Sequence, residues 1–161
     1  MEIEDPVTET IVGFLARIGI PVTIEPVAGK TFIPGAQVRD GGLVFDPMML
    51  PYPGDLLHEA GHIAVTDPAL RPALTEVSQD PGEEMAAIAW SYAAALEAGV
   101  DPAEVFHPFG YKGESARLLS DFTGGRYVGL PMLEWFGMTA APGKGEAAGL
   151  PEYPAMARWL R

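Results

Sequence analysis

Two of the three histidines in this 161-residue chain, His58 and His62, lie four residues apart, and Glu59 directly follows the first of them. Apolar residues at helical spacing predict a helix over residues 55–64, and positions four apart share one face of a helix. Both imidazoles can therefore reach one metal ion while the Glu59 carboxylate projects beside them. Zinc accepts such a site, although imidazole and carboxylate ligands also suit nickel, iron and cobalt.

A catalytic zinc site normally takes three protein ligands, so a third ligand has to come from elsewhere in the chain. The chain has no cysteine, which leaves histidine and carboxylate as the available ligands. Residues 80–83, Asp-Pro-Gly-Glu, predict the start of a long helix over residues 81–98. With Asp80 as the N-cap, Glu83 is expected to fold back onto the cap, which leaves Glu84 free to bind the metal. Glu84 is thus the predicted third ligand, and the alternatives are Glu83, Asp67, Asp80 and His107.

His107, the remaining histidine, lies between Phe106 and Pro108 near the end of a predicted helix. We predict a catalytic role for it, as a donor to an oxyanion or as a ligand. The structural alternative is a partly buried imidazole that is hydrogen-bonded to the backbone. Other side chains can also donate to a developing oxyanion, and their spacing singles out none of them. They are Tyr111, Arg117, Arg126 and Tyr127.

The charge balance excludes several classes of partner. Ten Lys and Arg face 22 Asp and Glu, which gives a formal net charge of −12. This field repels phosphate backbones and anionic lipid headgroups, so we predict no nucleic-acid partner and no membrane partner. The first five residues are acidic where a signal peptide would be basic, and no apolar run approaches the roughly 20 residues that cross a bilayer. A cytoplasmic location is the simplest expectation, and the oligomeric state stays unknown.

Hydrophobic patterning predicts a single α+β domain, with a small antiparallel or mixed sheet packed on the helix that carries the two histidines. Asp5 and Gly19 delimit a first amphipathic helix. Strands are expected at residues 22–25, 37–39 and 43–45, and Asp40-Gly41 predicts a hairpin turn between the last two. Shorter helices are expected at three places along the second half of the chain: residues 101–106, 114–122 and 130–136.

The C-terminal residues show a different composition. Residues 1–140 are predicted to form the body of the domain. Residues 141–161 are predicted to be a flexible loop and a docking segment of the same domain, with small residues over 141–149. An apolar stripe then offers side chains that can pack on the core. These are Tyr153, Met156, Trp159 and Leu160.

The His-Glu-x-x-His motif and the later glutamate resemble those of the zincin metallopeptidases, in particular the gluzincins. The metzincin pattern does not fit, because its extended motif needs Gly and His where this chain has Val65 and Pro68. Residues 43–45, Leu-Val-Phe, and residues 84–89, Glu-Met-Ala-Ala-Ile-Ala, look like those of the small ImmA/IrrE-type metallopeptidases. The resemblance covers roughly residues 37–98.

This resemblance implies that His58, His62 and Glu84 bind one zinc ion and that Glu59 is the general base. It implies hydrolysis of a peptide or protein substrate by a water that zinc activates, with the substrate added as a strand to the sheet edge at residues 43–45 or a neighbouring strand. Thermolysin-like enzymes place an aspartate where this chain has Ile88, so the groups that orient the histidines must differ. The alternatives are a non-catalytic, zinc-stabilised or metal-free interaction or regulatory module with the same fold, and hydrolysis of a non-peptide amide or ester.

Overall fold

A computed structural model describes residues 1–161 and shows an α+β protein, as predicted. The strands are β1 (Val22–Ile24), β2 (Ala36–Arg39) and β3 (Gly42–Phe45). The helices are α1 (Pro6–Ile18), α2 (Asp55–Val65), α3 (Pro81–Ala98), α4 (Pro102–Val105), α5 (Ser115–Thr123), α6 (Leu130–Trp135) and α7 (Gly145–Ala148). No helix has both the length and the apolar character needed to span a membrane.

Local capping signals explain where the long helices begin and end. The Asp5 side chain accepts a hydrogen bond of 2.7 Å from the backbone N–H of Thr8, and Gly19 ends α1 in the left-handed conformation with φ 92°. Asp80 accepts a bond of 2.9 Å from the N–H of Glu83, and Gly99 ends α3 with φ 77°. These bonds satisfy backbone groups that have no partner within the helix. The predicted bounds of α3 are confirmed.

The sheet has the order β1-β3-β2, so β3 is the central strand. β2 and β3 form the predicted hairpin, in which Asp40 and Gly41 make the turn with φ 50° and 73°. β1 pairs with β3 in parallel, with Val22 opposite Leu43. Of the two edges considered from the sequence, residues 43–45 are therefore wrong, because β3 has β1 on one side and β2 on the other. Its neighbour β2 provides an edge.

α2 and α3 pack together through small residues in the centre of the molecule. Gly61 faces the Ala87 backbone: a Cβ added at Gly61 would lie 2.8 Å from the carbonyl oxygen of Ala87. The backbone that approaches this glycine thus belongs to a helix. All of α2 from Leu56 onward is buried, and α3 is buried from Ala86 to Ala95. This contact holds the two ligand-bearing helices side by side.

The C-terminal segment packs on the core. Trp159 makes edge contacts with Phe14 and Trp90 at centroid distances of 5.2 and 5.7 Å, and its carbonyl accepts a hydrogen bond of 2.9 Å from Trp90 Nε1. The buried hydroxyl of Tyr153 donates to the Ala89 carbonyl at 2.7 Å. The apolar stripe therefore docks against α1 and α3. The stretch 141–149 is not wholly irregular, because α7 forms within it.

Two glycine-to-alanine changes test the contact between α2 and α3. Gly61→Ala should lower the free energy of unfolding by about 1–3 kcal/mol, because the added methyl group meets the Ala87 backbone, which cannot change rotamer. The matched control is Gly13→Ala in α1, where nothing lies within 4 Å of the added Cβ. That change should raise stability by up to about 1 kcal/mol, since alanine has the higher helix propensity. Urea denaturation measures both, and equal effects would contradict the close approach.

Candidate metal centre

Three potential metal ligands converge between α2 and α3. His58 and His62 lie one turn apart on α2, and Glu84 lies in the first turn of α3. One ligand atom from each of the three lies within 4.8 Å of the others. The Nε2 atoms of His58 and His62 are 3.3 and 2.7 Å from the two carboxylate oxygens of Glu84. The predicted ligand set is thus brought together in space by the packing of two helices.

The second nitrogen of each histidine has its own partner. The Tyr111 hydroxyl lies 3.1 Å from Nδ1 of His58, and an oxygen of Glu83 lies 3.5 Å from Nδ1 of His62. Partners on Nδ1 hold an imidazole in one orientation and leave Nε2 available as a ligand. The sequence predicted that these orienting groups would differ from the thermolysin pattern, and here they are a tyrosine and a neighbouring glutamate.

Glu83 does not close the expected capping box. The backbone N–H of Asp80 donates to the Ser78 hydroxyl at 3.0 Å, so the Glu83 side chain has no bond to make there. Its carboxylate turns toward His62 instead. The two adjacent glutamates therefore contact different atoms. Glu84 lies against the Nε2 atoms of both histidines, and Glu83 lies against Nδ1 of His62.

Glu59 lies on α2 beside the cluster and is 4% exposed. Its Oε1 atom is buried and has no hydrogen-bond partner. Burial raises the pKa of this carboxyl, and the charges of His58 and His62 offset part of the rise. A buried acceptor without a donor costs free energy, so this oxygen does not stabilise the fold.

The ionisation of the cluster follows from its contacts. Burial lowers the pKa of His62, but the hydrogen bond and charge of Glu84 outweigh burial and place this pKa above its usual value. For Glu84, burial raises the pKa, and the hydrogen bonds from His58 and His62 outweigh it and hold the pKa well below the usual range. Without a metal, His62 and Glu84 therefore form an ion pair.

We expect the metal-free protein to lose stability as the pH rises above about 6.5, the ordinary pKa of histidine. A histidine whose folded pKa lies above its unfolded value of about 6.5 stabilises the fold below that value, and the contribution is lost as the pH rises through the folded pKa. Urea denaturation with a chelator present measures the trend. In Glu84→Gln the carboxylate that raises the His62 pKa most is gone, so the loss of stability with rising pH should become smaller. A wild-type protein that gains stability over this range would contradict the ion pair.

His107 lies outside the ligand cluster. Its Nε2 is 2.7 Å from Oδ1 of Asp55, its Nδ1 accepts a hydrogen bond of 3.3 Å from the N–H of Phe109, and Tyr52 stacks on the ring at 4.0 Å. Both ring nitrogens are therefore occupied. His107 lines a cavity that also borders His58, so it is near the candidate centre without reaching it.

The other predicted candidates are dispersed, apart from Tyr111. Asp67 accepts the N–H of Ala69, and Asp80 is the N-cap of α3. Arg117 and Arg126 both pair with Asp121 on the surface. Tyr127 packs against Phe122, Tyr92 and Tyr153.

Two residues near the centre were not identified from the sequence. Asp55 was not among the predicted site residues, and Tyr111 was one of four equal candidates. For Asp55, the partner of His107, the sequence predicts only that it begins a helix. Tyr111 sits in a short turn with φ 54°, followed by Lys112 with φ 53°. Left-handed backbone at two consecutive non-glycine residues stores strain, which often marks a functional segment. The flanking Gly110 and Gly113 are the only local signal of this turn.

Comparison with known proteins adds no assignment. No protein-family model matches the chain, and neither curated proteins nor solved structures give a match.

Proposed function

We propose that this protein is a zinc-dependent metallopeptidase that hydrolyses peptide bonds at the cluster of His58, His62 and Glu84. The observation that carries the proposal is the combination of three converging ligands with a buried, unpartnered carboxylate oxygen on Glu59. A site that only stabilised the fold would need the ligands and no further acceptor. Hydrolysis needs that acceptor, because water must lose a proton as it attacks a carbonyl.

The donor set fits zinc. Two imidazoles and one carboxylate are a common set in catalytic sites, in which the fourth position stays open. The partners on both Nδ1 atoms, Tyr111 and Glu83, are of the kind that orient histidine ligands. Zinc bound here would supply a Lewis acid that polarises a carbonyl and eases the deprotonation of water.

The chain's own groups position the ion and move the proton. Glu59 accepts a proton from the attacking water at its free Oε1 and passes it to the leaving amine. Because burial raises the pKa of this carboxyl, it is a stronger base than an exposed glutamate. Its position on α2, between the two histidines in sequence, keeps it beside the ligands without making it one of them.

A groove along β2 suits an extended peptide. Ala36, Gln37 and Val38 line it together with Glu59, in a cavity of about 260 Å³. β2 is an edge strand, so it offers backbone groups that a substrate strand can pair with. Recognition through main-chain hydrogen bonds selects peptides over esters and isolated amides, which is why we propose proteolysis.

Two measurements on the full chain test this function. Metal analysis of the purified protein should find about one zinc per chain, and the protein should cleave members of a peptide mixture, as followed by mass spectrometry. A chelator should stop cleavage and added zinc should restore it. Zinc binding without cleavage of any peptide would instead indicate the zinc-stabilised interaction module, and cleavage that resists the chelator would exclude metal-dependent chemistry.

A further inference from the structure

A second cavity, of about 330 Å³, borders the candidate centre on the His58 side. It shares His58, Glu84 and Tyr111 with the centre, and it shares only Phe32 with the groove along β2. Its volume lies at the small end of ligand pockets, which suits one side chain rather than a whole small molecule. A cavity beside the ligands is where the side chain of a residue next to the cleaved bond would lie.

Aromatic side chains form the walls of this cavity. Tyr52 makes stacked contacts with His107 and Phe109, at centroid distances of 4.0 and 5.6 Å. Phe32 and Phe109 also line the cavity and are 80% and 79% exposed. Two phenyl rings left in water at one opening are unfavourable in the free protein, and aromatic faces attract both aliphatic stems and cations.

Asp55 supplies a negative charge inside the cavity. Its Oδ1 accepts a hydrogen bond of 2.7 Å from His107 Nε2. Because His107 Nδ1 accepts the N–H of Phe109, the ring proton is on Nε2 and the imidazole is a neutral donor. The carboxylate charge therefore has no cation beside it, and Oδ2 accepts no hydrogen bond from the protein.

Lys112 is the one cation among the residues that line the cavity. It is exposed and pairs with no carboxylate, so water and salt screen its charge. The Asp55 side chain is only 15% exposed, and its charge acts through a less polar medium. The inner part of the cavity therefore favours a positive group.

We propose that this cavity is a subsite for a lysine or arginine side chain of the peptide residue next to the cleaved bond. The aliphatic stem packs on Tyr52 and Phe109, and the cationic end binds Oδ2 of Asp55. This inference rests on the proposed peptidase function and adds the class of residue that the enzyme selects. The overall charge of −12 favours the approach of such basic peptides.

Paired peptides test the subsite. They differ only in arginine against citrulline, which has the same shape without the charge, placed in turn on each side of the cleaved bond. We expect kcat/KM to favour arginine by about 10–100-fold, as for a hydrogen bond between charged groups. Asp55→Asn should reduce this ratio to near 1, while its amide oxygen can still accept from His107. The matched control Asp40→Asn, in the exposed β2–β3 turn, should keep the ratio.

A binding measurement separates this inference from the proposed function. Blocked arginine amide and blocked citrulline amide are titrated into the metal-free full chain and followed by NMR. Selective binding of the arginine compound, lost in Asp55→Asn, supports the subsite even if no peptide is cleaved. Cleavage of peptides with no preference for arginine overturns the subsite and leaves the peptidase. Equal binding of both compounds, or a preference that survives Asp55→Asn, also overturns it.

Discussion

Glu59→Gln is expected to lower kcat for peptide hydrolysis by about 10²–10⁴-fold while zinc stays bound. The glutamine has nearly the same shape and keeps the buried position, but its amide cannot accept and return a proton. Because Glu59 is not among the converging ligands, the metal content should stay near one zinc per chain. A peptide cleavage assay and metal analysis of the same preparation give both quantities.

Glu97→Gln is the matched control for this change, since Glu97 lies exposed on α3 and touches neither the centre nor the cavities. Its kcat should equal that of the wild-type protein. Full turnover in Glu59→Gln would remove the general base from the mechanism. If Glu59→Gln lost both its zinc and its turnover, Glu59 would be needed for metal binding, and the loss of activity would not identify it as the general base.

Glu84→Ala is expected to weaken zinc binding by roughly 10²–10³-fold, and Glu83→Ala by only about tenfold. Structural zinc sites with four ligands bind with about 10–16 kcal/mol, so one ligand contributes about 2.5–4 kcal/mol. Groups that orient a ligand contribute roughly 10–100-fold, and the 3.5 Å separation between Glu83 and His62 places it at the lower end. Competition with a chromophoric chelator measures both affinities.

The two neighbouring glutamates are each other's control, because both substitutions remove one carboxylate from the first turn of α3. A larger loss of zinc affinity in Glu83→Ala than in Glu84→Ala would identify Glu83 as the ligand. Circular dichroism should show unchanged helix content in both variants, since the N-cap that starts α3 is Asp80. A variant that unfolds would report on stability and not on zinc.

The elements that carry the candidate centre were predictable because their signals are local. Asp80 and Gly99 delimit α3, and the spacing of His58 and His62 defines one face of α2. The choice of Glu84 over Glu83 was reached from a capping box that the structure does not contain. Ser78 takes the backbone N–H that this box requires, and a serine two residues before a cap gives no strong signal.

Other parts of the molecule depend on contacts between distant residues. The parallel pairing of β1 with β3 makes residues 43–45 the central strand, and no local pattern in either strand specifies that partner. Tyr111 reaches His58 from a turn 53 residues later, where no periodicity indicates the direction of the side chain. α7 is short and rich in glycine and alanine, so its sequence resembles a linker.

The close contact between Gly61 and the Ala87 backbone has a consequence for how a metal ion would enter and leave the site. Side chains can change rotamer, but two buried backbones in contact cannot yield in that way. The two imidazoles and Glu84 are therefore held together before any ion binds, and an ion would have to displace only the proton shared by His62 and Glu84. Glu84 remains 43% exposed, which leaves an entrance from solvent. Entry and loss of the ion would then require no unfolding of the domain.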